Sequence, residues 1–278
     1  MKAAFSAHIS WLFAELPYLE RVPAARAAGF GWIETAWPAA DDRAALPDVV
    51  AAEGVGVALL NMDAGEVARG ERGFLNDPAR RAESELAFLA AADLAGRIGA
   101  PCLNLLVGRE LAGAPLARQR DTLLANLRCF GPEAAARGLR LLIEPVNALD
   151  NPGYLAPTAQ DAADLIQTCG CDSVRLLLDI YHVARGGQDP VAEIERHAAL
   201  IGHVQLADHP GRGQPGSGEL DIEAILGALD AAGYAGCVGL EYEPSSARSD
   251  SAPSSAWPVR STSSSLSAVH SPNSPPTP

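Results

Sequence analysis

The first predicted strand, Ala4-Phe5-Ser6-Ala7-His8, runs into Ser10-Trp11-Leu12-Phe13-Ala14-Glu15-Leu16 before a helical stretch begins, and no glycine stands in that turn. A doubly wound nucleotide-binding sheet carries its glycine-rich phosphate loop at this point. Without that loop, a series of parallel strands joined by right-handed crossovers is better satisfied by closing into a (β/α)8 barrel.

The rest of the chain supplies the units such a barrel needs. Short apolar or β-branched runs at residues 4–8, 32–35, 55–61, 102–107, 140–144, 174–179, 202–206 and 238–241 read as strands. Between them, residues 16–28, 43–53, 78–98, 115–137, 158–168, 190–200 and 221–232 have helical spacing. Pro78, Pro115 and Pro190 stand near helix starts, and Gly29, Gly54, Gly99, Gly138, Gly170 and Gly233 where helices should stop.

Residues 1–244 are expected to form this one barrel domain. Beyond Glu243-Pro244 the composition changes: serine and proline make up 13 and 6 of the last 34 residues. Such a stretch buries too little apolar surface to fold, so residues 245–278 are expected to be a disordered tail. It stands where the eighth helix should be, which is expected to be missing or replaced. A frame-shifted end would explain such a tail.

Composition narrows the partners. The 278 residues are 48% hydrophobic and carry 21 Lys+Arg against 34 Asp+Glu, a formal charge of −13. An acidic chain offers no field for polyanions, and no apolar run approaches the ~20 residues of a membrane span. The expectation is a cytoplasmic protein acting on a small molecule, without nucleic acid or membrane as partner, and able to form a homo-oligomer. Cys102, Cys129, Cys169, Cys171 and Cys237 contain no Cys-x-x-Cys pair and suit reduced thiols.

Four consecutive strands end in side chains that could do chemistry: Leu141-Leu142-Ile143-Glu144, Leu176-Leu177-Leu178-Asp179, His203-Val204-Gln205 and Val238-Gly239-Leu240-Glu241. In a parallel barrel these ends share one mouth, where barrel active sites lie. A carboxylate ending an apolar strand is costly to bury without a partner. Any one of these acids could cap the following helix or pair with an arginine. Together, Glu144, Asp179, Gln205 and Glu241 form an all-oxygen set suited to Mg2+ or Mn2+. His182, three residues beyond Asp179, is placed to contact a substrate or to serve as a hydrogen-bonded loop histidine.

Gly211-Arg212-Gly213-Gln214-Pro215-Gly216 matches G-x-G-x-x-G literally, but it lies between the seventh strand and its helix and contains a stiffening proline. A loop over the mouth, presenting Arg212 to an anionic substrate, fits better than a dinucleotide fingerprint.

At these residues the chain resembles the hydroxypyruvate isomerase family, within the xylose-isomerase-like TIM barrels. The resemblance spans about residues 3–244 and rests on Leu142-Ile143-Glu144-Pro145-Val146-Asn147, Asp179-Ile180-Tyr181-His182, residues 201–208, residues 210–219 and Gly239-Leu240-Glu241-Tyr242. It departs from the family at His8, where asparagine is common, and at Thr35-Ala36-Trp37-Pro38.

The resemblance implies interconversion of hydroxypyruvate and 2-hydroxy-3-oxopropanoate. It implies Glu144 and Glu241 as the acid/base pair, Asp179 and Gln205 with them as ligands of a divalent metal, and His182 and Arg212 as substrate contacts. The expected reaction is metal-assisted proton transfer through an enediolate. An isomerase or epimerase of a keto sugar or 3-oxo-tetronate would use the same residues. Two other classes are a barrel endonuclease, which would need a histidine-rich multi-zinc cluster and a basic face, and a non-catalytic barrel with an incomplete C-terminus.

Overall fold

The computed structural model describes residues 4–244. Eight strands close into a barrel in chain order: β1 (Phe5–His8), β2 (Trp32–Thr35), β3 (Gly56–Asn61), β4 (Cys102–Leu105), β5 (Arg140–Ile143), β6 (Val174–Asp179), β7 (Ile201–Leu206) and β8 (Val238–Leu240). All neighbours are parallel, and β8 returns to pair with β1. This is the TIM barrel expected from the alternating pattern.

The helices pack outside: α1 (Arg21–Ala27), α2 (Ala40–Glu53), α3 (Arg81–Ile98), α4 (Leu116–Ala136), α5 (Ala159–Cys169), α6 (Ile180–Arg185), α7 (Pro190–His197) and α8 (Ile222–Ala231). Their ends obey local chemistry. Thr158 and Asp161 form a reciprocal capping box at the start of α5, and Pro190 opens α7 behind the cap Asp189.

The segment after β1 differs from the expected long helix. Residues Tyr18–Glu20 form a 3-10 turn, and α1 begins only at Arg21, whose guanidinium binds the carbonyls of Ile9, Ala14 and Leu16. The short helix α6 was not expected at all. Six residues are too few to show amphipathic spacing, and this helix starts directly from Asp179. The helix that would follow β8, and the tail 245–278, lie outside the described residues. No described helix is long and apolar enough to cross a membrane.

Strand alternation decides what fills the barrel. Leu59, Cys102, Leu142 and Leu177, from β3 to β6, form an apolar cluster separate from the main core between sheet and helices. They face inward, so the residues two places on, Asn61, Asn104, Glu144 and Asp179, face inward nearer the C-terminal mouth. On the side formed by β3 to β6 the interior is therefore apolar lower down and polar above.

Truncating this inner cluster should be costly because a closed barrel collapses poorly around a void. Leu142→Ala, at a fully buried position, is expected to lose about 2–5 kcal/mol. Leu142→Met should lose less than about 1.5 kcal/mol. Urea unfolding of the two variants checks the difference.

Candidate active site

Glu144 follows β5, Asp179 ends β6, Gln205 lies in β7 and Glu241 follows β8. The barrel brings the three acids together around Arg212. Nη2 of Arg212 lies 3.1 Å from Oδ2 of Asp179 and 3.2 Å from Oε1 of Glu241, and its Nε donates to the Glu241 carbonyl at 3.3 Å. The guanidinium is stacked with Trp11 at 4.3 Å and Tyr181 at 5.0 Å from the ring centres.

Asp179 also caps α6, accepting the Tyr181 N–H at 2.9 Å. It is thus both a helix cap and an arginine partner. Glu144 accepts from the Asn104 amide at 2.6 Å and lies 3.7 Å from Nε2 of His182.

The tautomer of His182 follows from its neighbour. Asn147 accepts the Asp150 N–H through Oδ1, which fixes its amide, so its Nδ2 donates to Nδ1 of His182 at 2.7 Å. The proton of a neutral His182 is then on Nε2, directed at Glu144 and Asp179. Burial lowers its pKa to about 4, so the ring is neutral near pH 7.

Burial pushes the Glu144 carboxyl up to about 7, the charge of Asp179 adding to the effect and the Asn104 hydrogen bond opposing it. Burial drives Glu241 well above the ordinary carboxylate range, against the pull of Arg212. Burial also disfavours the charge on Arg212, but Glu241, Asp179 and Glu144 outweigh it and raise its pKa.

Gln205 is turned away from this cluster at its nitrogen end. Its Nε2 donates to Oε2 of Glu34 at 3.0 Å, and its Oε1 is buried without a hydrogen-bond partner among the described residues. Glu34 is a fully buried acid on β2, tied through Oε1 to Ser6 at 2.5 Å and to His203 at 2.8 Å. Burial works to raise Glu34, yet His203 by charge and hydrogen bond, with His8 and Ser6, holds it below the usual range. His8 is buried at the end of β1 and kept neutral, its pKa lowered to about 4 by burial.

Sequence reading assigned no role to Glu34, Asn104, Asn147, Trp11 or Tyr181, although Asn147 and Tyr181 stand in stretches that carry the family resemblance. Glu34 carried the same signal as the other acids, a carboxylate in an apolar strand, but Thr35 follows it within the strand and masks it.

The donor set suits a hard divalent cation. Glu144, Asp179 and His182 bring ligand-type atoms within 4.8 Å of one another; with its proton on Nε2, His182 is a donor beside the two acids, whose oxygens are the atoms that could hold a metal ion. The bare Oε1 of Gln205 adds an oxygen acceptor, and Glu144 and Glu241, raised first by burial and further by the neighbouring acid charge, are groups a bound cation would favour in the ionised form.

A cavity of about 620 Å³ opens over these groups, lined among others by Trp11, Trp37, Arg72, Glu144, Tyr181, His182, Arg212 and Glu241. Its Arg212 loop, 209–220, is held from below by the buried Asp208, which accepts backbone N–H groups of His209 at 2.8 Å, Gly216 at 2.6 Å and Leu220 at 3.1 Å.

Comparison with known proteins agrees with the barrel fold and gives the class of enzyme. The family model of the xylose isomerase-like TIM barrel matches residues 22–258. The hydroxypyruvate isomerase of Escherichia coli K12 is 35% identical over 240 residues, 86% of this chain and 93% of its own. The 2-oxo-tetronate isomerase of Cupriavidus necator H16 is likewise 35% identical, over 86% of this chain and 92% of its own. Among solved structures, an AP endonuclease, family 2, from Brucella melitensis superposes with a TM-score of 0.83 at 30% identity, covering 87% and 93% of the two chains.

The chain belongs to the xylose isomerase-like TIM barrel family, and by its likeness to the hydroxypyruvate isomerases it is an isomerase.

The Asp208 anchor generates a direct expectation. Asp208→Ala strands three backbone donors and should cost roughly 1–3 kcal/mol. Denaturation, with limited proteolysis to show cleavage rising within 209–220, checks it.

Proposed function

We propose that the chain interconverts hydroxypyruvate and 2-hydroxy-3-oxopropanoate, with Glu144 and Glu241 as the proton-transferring pair. The observation that carries this reading is the pair itself: two buried glutamates of raised pKa at one mouth, three strands apart around the ring. That separation suits groups acting on a flat intermediate from different sides. One glutamate, as carboxylate, takes a proton from C3 of hydroxypyruvate. The electron pair of the broken C–H bond forms the enediolate double bond between C3 and C2.

Protonation at C2 by the pair, with the proton of the C3 hydroxyl passing to the oxygen on C2, then leaves the aldehyde. Raised pKa values bring both glutamates nearer the pH at which giving and taking protons are both possible. His182 donates through Nε2 to a substrate oxygen, and Arg212 holds the substrate carboxylate with the part of its guanidinium not engaged by Asp179 and Glu241. Glu144, Asp179, Gln205 and Glu241 would hold Mg2+ or Mn2+, which supplies Lewis-acid charge against the developing oxyanion. Stacking on Trp11 and Tyr181 keeps Arg212 in place and water out. The five free thiols support a reducing, cytoplasmic setting.

A four-carbon oxo-tetronate is the second reading. The cavity exceeds what a three-carbon acid fills, and Arg72 on its wall offers a further cation for a longer substrate.

Glu144→Gln and Glu241→Gln are each expected to lower kcat with hydroxypyruvate by about 10²–10⁴ while leaving the circular dichroism spectrum unchanged. Full activity in either variant would contradict the assignment. Measuring kcat/KM for hydroxypyruvate and 2-oxo-tetronate side by side decides the substrate: hydroxypyruvate is expected to be preferred, and the reverse order would shift the assignment to the tetronate.

A further inference from the structure

The interior of the barrel carries one acid that the reaction does not use. Glu34 comes from β2, yet it reaches Gln205 on β7, three strands away around the closed ring. A buried carboxylate is expensive, and this one is surrounded by arranged donors: Ser6 Oγ at 2.5 Å and His203 Nε2 at 2.8 Å, both on Oε1, leave Oε2 to the Gln205 amide at 3.0 Å.

The backbone has made room for it as well. A Cβ at Gly239 would lie 2.3 Å from Oε1 and 2.4 Å from Oε2 of Glu34, so only glycine fits there without displacing the carboxylate. Four elements, β1, β2, β7 and β8, thus contribute to the position of one side chain.

We propose that Glu34 is a positioning residue of the candidate metal centre, turning the Gln205 amide so that its oxygen faces the cation. The proposal rests on reading Gln205 as a ligand. A side-chain amide has a donor end and an acceptor end of nearly the same shape, and only the oxygen can ligate a cation. A carboxylate only accepts, so it binds the NH2 end and leaves Oε1 bare. That is the state observed: Oε1 is buried and has no hydrogen-bond partner among the described residues.

With an amide at position 34, Gln205 would be satisfied in either orientation. The lock would be lost while volume and burial stay the same.

Calorimetric titration of Mn2+ into chelator-treated full-length protein tests this with four proteins: wild type, Gln205→Leu, Glu34→Gln and Gly239→Ala. Glu34→Gln is expected to weaken Mn2+ binding about 10–100-fold, the range for outer partners of metal ligands. Gly239→Ala displaces the carboxylate while keeping its charge, so it should weaken binding in the same direction and serves where Glu34→Gln folds poorly.

A purely structural role would lower the melting temperature and leave Mn2+ affinity unmoved. If Gln205→Leu loses affinity while Glu34→Gln and Gly239→Ala stay within about twofold of wild type, the positioning role is overturned. If Gln205→Leu binds Mn2+ as wild type does, or wild type binds none, the ligand reading falls and the proposal with it. Hydroxypyruvate turnover by the wild type then tells separately whether the isomerase reading survives.

Discussion

Three carboxylates share one guanidinium at the mouth of the barrel, out of water. With Glu144, Asp179 and Glu241 all ionised, Arg212 would offset one negative charge of three. In a poorly solvated site that imbalance must be met by a retained proton or by another cation. The raised pKa values of Glu144 and Glu241 express the first response, and the oxygen-rich donor set suits the second. On the proposed reading, acid–base chemistry and cation binding are two consequences of one desolvated charge cluster.

The rest of the fold holds that cluster in place. Parallel closure aligns the strand ends, and the inward leucines beneath them fill the space that would otherwise admit water. Short polar relays then fix single atoms: Asn104 on Glu144, Asn147 on His182, Tyr181 N–H on Asp179 and Asp208 beneath the Arg212 loop. Trp11, from the turn that lacks a phosphate loop, stacks on Arg212. The segment that excludes a nucleotide-binding sheet thereby supplies one wall of the site.

Much of this was legible in the amino-acid order because period-two strands and capped helices leave local marks. β2 and β6 run over the residues expected, and acids ending apolar strands pointed to Glu144, Asp179 and Glu241. The two ordinary roles open to any one of these acids, capping a helix and pairing with arginine, are both filled by Asp179. The relays were not legible. Glu34 and Gln205 are 171 positions apart, and their contact exists only because β8 pairs with β1. The short α6 left no periodicity to read, Asn104 looked like an ordinary polar residue until closure aimed it, and nothing local to Asn147 pointed to His182.

Proton transfer at the mouth is the central claim, and turnover of hydroxypyruvate in D2O, followed by NMR with Mn2+ present, tests it most directly. Deuterium should appear at C3 of recovered hydroxypyruvate and at C2 of the 2-hydroxy-3-oxopropanoate formed. Hydroxypyruvate recovered unchanged, with no deuterium and no product, would contradict the account.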